Sequence, residues 1–285
     1  MKVLLAMSGG VDSSLCGHLL QEMGHEVHGV TFDTGMTDRE KFKKDVEDAK
    51  AVAESLGFGH SVVEYKDYFR KNVVNPFIDA YLAGKTPNPC IICNRVLKFG
   101  TLMDYAISHG YDMLATGHYA NVGKIGDRYL LKKAKDERKD QTYFMYGASN
   151  LDRVIFPLGG FTKTETRELA HKIGIKTMDK KDSQEVCFIS TNYRDFLNAE
   201  NVKLPVEGNF IDIDGNVLGK HEGTFNYTIG QRKGLNIALG ARAYVIDIDT
   251  KNNTVTLGDE SYLFKKTVVA KMPETVDANL LEDKV

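Results

Sequence analysis

A short apolar run at residues 3–7 breaks on Ser8-Gly9-Gly10 and is followed at once by Leu15, Leu19, Leu20 and Met23 at helical spacing, ending at Gly24. This succession of strand, glycine turn and helix constrains the fold more than any other stretch of the chain. Asp12, Ser13 and Ser14 are suited to capping the helix. Further strands are predicted at 27–32, 60–63 and 113–116. A charged helix is predicted over 38–56, with Val46, Ala49, Ala53 and Leu56 as its apolar stripe and Gly57 as its stop. Strands separated by helices pair in parallel through right-handed crossovers. The first part therefore reads as an α/β, doubly wound parallel sheet running to about residue 155.

The texture then changes. Phe156-Pro157-Leu158-Gly159-Gly160 is a turn cluster, and Thr162-Lys163-Thr164-Glu165 reads as a capping box opening a helix with Leu169, Ala170 and Ile173 on one face. From about 205, glycines punctuate short alternating runs. One hairpin is expected to turn at Asp214-Gly215 and another at Asn252-Asn253. The expected organisation is 1–155, 156–205 (small, helical) and 206–285 (β-rich). No apolar run approaches the ~20 residues of a membrane helix, and Ser8 comes too early for a signal-peptide core. Four cysteines in 285 residues are no disulfide scaffold, so a reducing cytoplasm is expected. The net charge of −2 neither supports nor excludes a nucleic-acid partner.

Three blocks can carry chemistry. In Ser8-Gly9-Gly10-Val11-Asp12-Ser13, reached through Ala6 and Met7, glycines allow close approach to an anion and the helix N-terminus offers free N–H groups. The P-loop lysine is absent. A plain glycine turn with Asp12 or Ser13 as cap is the structural alternative. In Thr86-Pro87-Asn88-Pro89-Cys90-Ile91-Ile92-Cys93, prolines stiffen the approach to a C-x2-C pair. That pair could bind zinc, hold an iron–sulfur cluster, form a redox disulfide or be buried as two apolar side chains. Arg95 and Lys98, if near, would favour a thiolate. Cys187, in Asp182-Ser183-Gln184-Glu185-Val186-Cys187, reads locally as core, as does Cys16.

The first block resembles the loop of the N-type ATP pyrophosphatases. Together with LATGHYA (114–120), KDQTYFMY (139–146), FPLGGFTKTETRELA (156–170) and YTIGQRKGL (227–235), the three blocks resemble the tRNA-specific 2-thiouridylases over nearly the whole chain. That resemblance implies an ATP pyrophosphatase-type sheet that adenylates, a tRNA-contacting helical segment over 156–205, and the start of an incomplete or minimal C-terminal β-barrel. It implies ATP-dependent thiolation of uridine 34 of tRNA, by adenylation of O2 and displacement of AMP by sulfur. Ala6, Met7, Ser8, Gly9, Gly10, Val11, Asp12, Ser13, Phe32 and Gly117 would meet ATP, with Mg²⁺. Asn88, Pro89, His118, Lys139, Asp140 and Gln141 would meet tRNA. Cys93 would be the nucleophile and Cys187 the persulfide carrier, fed by a sulfur donor or relay protein.

Many members of that family carry Asp where this chain has Cys90. Three thiols, Cys90, Cys93 and Cys187, could therefore hold a [4Fe–4S] cluster or run a persulfide relay. The run 128–139 and Gln231-Arg232-Lys233 are further candidates for phosphate contact. Two other functions share some of these features. Another synthetase or sulfurtransferase of the ATP pyrophosphatase superfamily needs the 8–13 loop and not the cysteines. A catalytically silent RNA- or metal-binding module needs neither to be reactive.

Overall fold

The computed structural model describes residues 1–178, 180, 186–189, 192–200, 207–240 and 242–267. It divides into two compact units, Met1–Val74 with Pro89–Ser190, and Asn75–Asn88 with Thr191–Val285.

In the first unit, β1 (Lys2–Ala6), β2 (Glu26–Asp33), β3 (Gly59–Glu64), β4 (Met113–Thr116) and β7 (Val154–Ile155) form one sheet in the order β3-β2-β1-β4-β7, every pair parallel. The alternation of β1 explains its place at the centre. Val3 and Leu5 face one apolar layer with Leu15, Leu19 and Leu20, while Leu4 faces the other with Val30, Phe99 and Leu102. Strand order reverses between β1 and β4, and open α/β sheets bind ligands at the carboxyl ends of strands at such a point.

Helix α1 (Val11–Glu22) begins on Gly10 without a side-chain cap, not on Asp12 or Ser13 as expected. Its first-turn N–H groups are thus left without a side-chain acceptor. Helix α2 (Arg39–Leu56) follows its predicted bounds closely, with the Asp38 carboxylate accepting from the Lys41 N–H at 2.9 Å and Gly57 at φ 79° closing it. The capping box at Thr162 forms in both directions and opens the helix Lys163–Lys172.

Two features lay outside the sequence reading. The first is an antiparallel ribbon of β5 (Asn121–Ile125) and β6 (Arg128–Lys132). The second is a helical run that starts α-helical over Pro89–Cys93, widens to a π-helix over Asn94–Thr101 and returns to α over Leu102–Ser108.

The second unit carries the helix Asn75–Leu82, the helix Tyr193–Ala199 and a four-stranded sheet. The stacked rings of Tyr81 and Tyr193, 4.7 Å apart, join the two helices. In the sheet, β8 (Gly208–Ile211) pairs antiparallel with β9 (Val217–His221), and β10 (Tyr244–Asp249) with β11 (Thr254–Gly258), as the hairpin signals predict. A parallel β11–β8 pair joins the hairpins over a core of Phe210, Tyr227, Leu235, Val245, Val255 and Leu257.

Candidate active site

Ala6 and Met7 end the central strand, and the chain turns through Ser8, Gly9 and Gly10 into α1. Gly9 sits at φ 69°, and a Cβ there would lie 2.4 Å from the Asp45 carbonyl oxygen. Only glycine meets both conditions. The Ser13 hydroxyl, inside the first turn of α1, accepts from the Ser8 N–H at 3.2 Å and lies 3.3 Å from the Ser8 hydroxyl. Gly117, beyond β4, backs onto this turn so closely that a Cβ would stand 3.0 Å from the Ser13 nitrogen. Gly117 thus lies against the loop. Phe32 lies on β2, half-buried and packed against the core face of Leu4, Val30 and Phe99.

Asp12 is engaged on both oxygens. Lys163 Nζ donates to them at 2.7 and 2.8 Å, and the Tyr119 hydroxyl donates to Oδ1 at 3.1 Å. Tyr119 also bonds the Thr166 hydroxyl at 3.1 Å. Burial, reinforced by the Asp12 charge, pushes the Tyr119 phenol far up, so it stays a donor. On the other side of the loop, Lys180 Nζ donates to the Gly9 carbonyl at 3.0 Å and to Asp45 and Asp48 at 2.7 and 2.8 Å. These lysines were missed. Lys163 was read only as part of a capping box, yet a lysine in the first turn of a helix opposes the dipole and is a hint of another task.

The thiols gather within the same unit. Cys93 is buried at the end of the Pro89–Cys93 segment, with Lys98 five residues on. On an α-helix that spacing turns two side chains roughly 140° apart. The π segment closes i→i+5 hydrogen bonds and brings Lys98 back toward Cys93. Burial pushes the Cys93 thiol up to about 12; Lys98 pulls it down, while Cys187 and Cys90 push it up further. Cys187 keeps solvent access, yet the protein around it desolvates and raises its thiol, opposed by Lys98 and Lys41. Cys90 is exposed. Three cysteines from two segments therefore share one electrostatic neighbourhood around Lys98. Lys98 favours the Cys93 thiolate, as its charge requires, but desolvation outweighs it. Cys16 is core, fully buried on α1.

His118 stands beside this group. Its Nε2 accepts from Lys98 Nζ at 3.3 Å, and its Nδ1 lies 2.7 Å from the Thr116 hydroxyl. Burial, then the Lys98 charge, drives its pKa well below the ordinary value. The ring is neutral, and Lys98 contributes the positive charge.

Pro89 is buried at the first position of its helix, where a missing N–H costs nothing. Asn88 is half-buried and Lys139 is exposed. Asp140 and Gln141 turn inward. The Asp140 carboxylate accepts from the Ala134 N–H at 2.7 Å and from the Thr142 hydroxyl. Gln141 pairs with the Tyr119 backbone through its side-chain oxygen and its own N–H, both at 2.9 Å. In the second unit, Gln231 braces its own turn, accepting from the Thr228 N–H and donating to the Lys233 carbonyl, while Arg232 and Lys233 are exposed.

Among the described residues, no three His, Cys, Asp or Glu side chains converge as a metal-holding group, the three cysteines included. As placed, they form no site for a single metal ion. No described helix is long and apolar enough to cross a membrane.

Family models match in two stretches: a tRNA methyl transferase HUP domain over residues 1–191 and a tRNA methyl transferase PRC-barrel domain over 194–259. The chain is 44% identical to tRNA-specific 2-thiouridylase MnmA 2 of Clostridium botulinum (strain Okra / Type B1), over 99% of this chain and 82% of that protein. It is 48% identical to tRNA-specific 2-thiouridylase MnmA of Clostridium kluyveri, over 95% and 79% respectively. A looser likeness, with TM-score 0.43 and 18% identity over 70% of this chain and 65% of the other, is to the U34-tRNA thiolase NcsA from Methanococcus maripaludis with its [4Fe-4S] cluster. The near full-length matches, with the parallel sheet and the smaller β-rich unit, place this chain in the MnmA family of tRNA-specific 2-thiouridylases.

Proposed function

We propose that this chain replaces the C2 oxygen of uridine 34 of tRNA with sulfur, using ATP. The observation that carries the reading is the gathering of Cys93 and Cys187, 94 positions apart in the chain, around Lys98 in the unit that holds the glycine loop. Residues 1–155 would adenylate, 156–205 would meet the tRNA, and 206–285 would form the β-rich remainder. The reaction belongs in the cytoplasm, with its tRNA.

The C2 carbonyl of uridine is a weak electrophile. Attack of its oxygen on the α-phosphorus of ATP breaks the α–β bond, releases pyrophosphate and makes the oxygen a leaving group. The first-turn N–H groups of α1 and the Ser8 and Ser13 hydroxyls stabilise the departing negative charge. Mg²⁺, if bound, would be held on the protein side by Asp12 and would supply further charge neutralisation. Asp12 as it stands orders the loop through Lys163.

Sulfur arrives as a persulfide on Cys187, loaded by an upstream donor or relay protein, with exposed Cys90 beside it as the third thiol. The terminal sulfur forms a bond to C2, and AMP leaves with the former C2 oxygen. The Cys93 thiolate, once deprotonated and held by Lys98, attacks the Cys187 sulfur. The S–S bond breaks, 2-thiouridine leaves and a Cys93–Cys187 disulfide remains. The two thiols supply the two electrons, and an external thiol restores them. No step is drawn through an iron–sulfur cluster; if one is bound, Cys90, Cys93 and Cys187 would hold it.

Incubation of the protein with ATP, Mg²⁺, a persulfide donor and unmodified tRNA, followed by nucleoside mass spectrometry, tests this. ATP-dependent 2-thiouridine at position 34, with one AMP per sulfur and full activity in iron-free colourless protein, is expected. No thiolated nucleoside, or undiminished product from Cys93→Ser, would overturn the reading. Pyrophosphate release without tRNA thiolation would point to another synthetase of the superfamily.

A further inference from the structure

The ribbon of β5 and β6 is a two-stranded sheet by itself, a form that is marginal in water unless it is anchored. Its root is anchored. Asn121 Nδ2 donates to the Lys133 and Gly159 carbonyls at 3.0 Å each, Val122 and Leu131 pack on the core, and Asp140 and Gln141 close the base as described. The outer half is not packed. Ile125 is 71% exposed and Tyr129 41%, with Lys124 Nζ 5.4 Å from the centre of the Tyr129 ring. Residues 121–133 hold Lys124, Arg128, Lys132 and Lys133 against Asp127, a net +3 in a chain of net −2. All four basic side chains are exposed, and Lys124 and Lys132 make no ion pair among the described residues. The ribbon begins four residues after Gly117, so it leaves the sheet at the edge where the glycine loop lies.

We infer that the β5–β6 ribbon grips the sugar–phosphate backbone of the substrate tRNA, with Lys124, Arg128, Lys132 and Lys133 against phosphates and Tyr129 against a sugar or base face. The inference rests on the function proposed above. One-sign charge on exposed basic side chains, Lys124 and Lys132 without ion-pair partners among the described residues, is what counterion release from a polyanion requires. Three exposed apolar side chains, Ile125, Tyr129 and Leu130, are too few for the dry centre of a protein interface. Asp140 and Gln141 are positioning residues for the ribbon, acting through the Ala134 and Tyr119 backbones.

Binding of a tRNA transcript by the full chain, followed by fluorescence anisotropy between about 50 and 200 mM salt, tests the assignment. The triple variant Lys124→Gln, Arg128→Gln, Lys132→Gln should weaken binding about tenfold or more at the lower salt. It should also make the log–log salt slope shallower by about 2 to 3, and each single variant by about 1. ATP affinity, read on the same preparations, should stay within about twofold and shows that the variants are folded; the singles stand in if the triple does not fold. If the wild type fails to bind tRNA above bulk nucleic-acid competitor, the inference and the proposed function fall together. If the wild type binds and the variants keep its affinity and slope, the ribbon assignment alone falls, and the ribbon belongs to a protein partner.

Discussion

Cys93 is a protonated thiol at neutral pH because its surroundings desolvate it more strongly than Lys98 compensates. With a pKa near 12, its thiolate fraction, and so its alkylation rate, should climb about tenfold per pH unit from 7 to 10 without levelling. Lys98→Met removes the opposing charge of Lys98 and should slow Cys93 alkylation several-fold at every pH. Peptide mapping by mass spectrometry reads both, with Cys90 modified before Cys93 and Cys16 protected until unfolding. A plateau below pH 9 would contradict the burial argument.

His118 makes a second prediction at this scale. Its folded pKa is depressed, so below the ordinary value near 6.5 the unfolded chain takes up a proton that the folded chain refuses. The stability it contributes is present above 6.5 and is lost as pH falls through that value toward the folded pKa. His118→Asn, which can still donate and accept, should reduce the slope of unfolding free energy against pH on the acid side by up to about 1.4 kcal/mol per unit. Urea titrations from pH 7 downward measure it, and an unchanged slope would show that the ring charges freely.

At the scale of elements, the Asp12–Lys163 pair fastens the start of α1 to the start of the helix Lys163–Lys172. The side chains are only 29% and 12% exposed. Lys163→Met strands a half-buried carboxylate and should cost about 2–3 kcal/mol, seen as a lower urea midpoint with an unchanged m value. A loss below about 0.5 kcal/mol would mean that the pair is solvated. Local signals made many elements legible beforehand. Gly57 stops α2, Thr162 and Glu165 cap each other, and the turns at Asp214-Gly215 and Asn252-Asn253 close their hairpins. The π segment was not legible, since nothing in the apolar spacing of Asn94-Arg95-Val96-Leu97-Lys98 separates a π turn from an α turn. The β5–β6 ribbon was missed because Ile125, Tyr129 and Leu130 are exposed and break the inside–outside alternation that marks a half-buried strand.

For the whole molecule, the parallel sheet follows from alternating strands and helices, and its switch point places the Ser8–Ser13 turn beside Gly117 and the β4 end. Contacts between distant segments were invisible in the chain order. Lys163 meets Asp12 across 151 residues and Lys180 meets Gly9 across 171, and no spacing rule reports such pairs. Cys187 shows the same limit, since beside Val186 and Phe188 it reads as core and only the fold brings it to Lys98.

The most direct measurement is a single turnover with persulfide-loaded protein, ATP and unmodified tRNA in the absence of reductant, quenched by alkylation and mapped by mass spectrometry. One Cys93–Cys187 disulfide should form for each 2-thiouridine made, and neither should form when ATP is omitted. Thiolated tRNA accompanied by a free, alkylatable Cys93 would contradict the account.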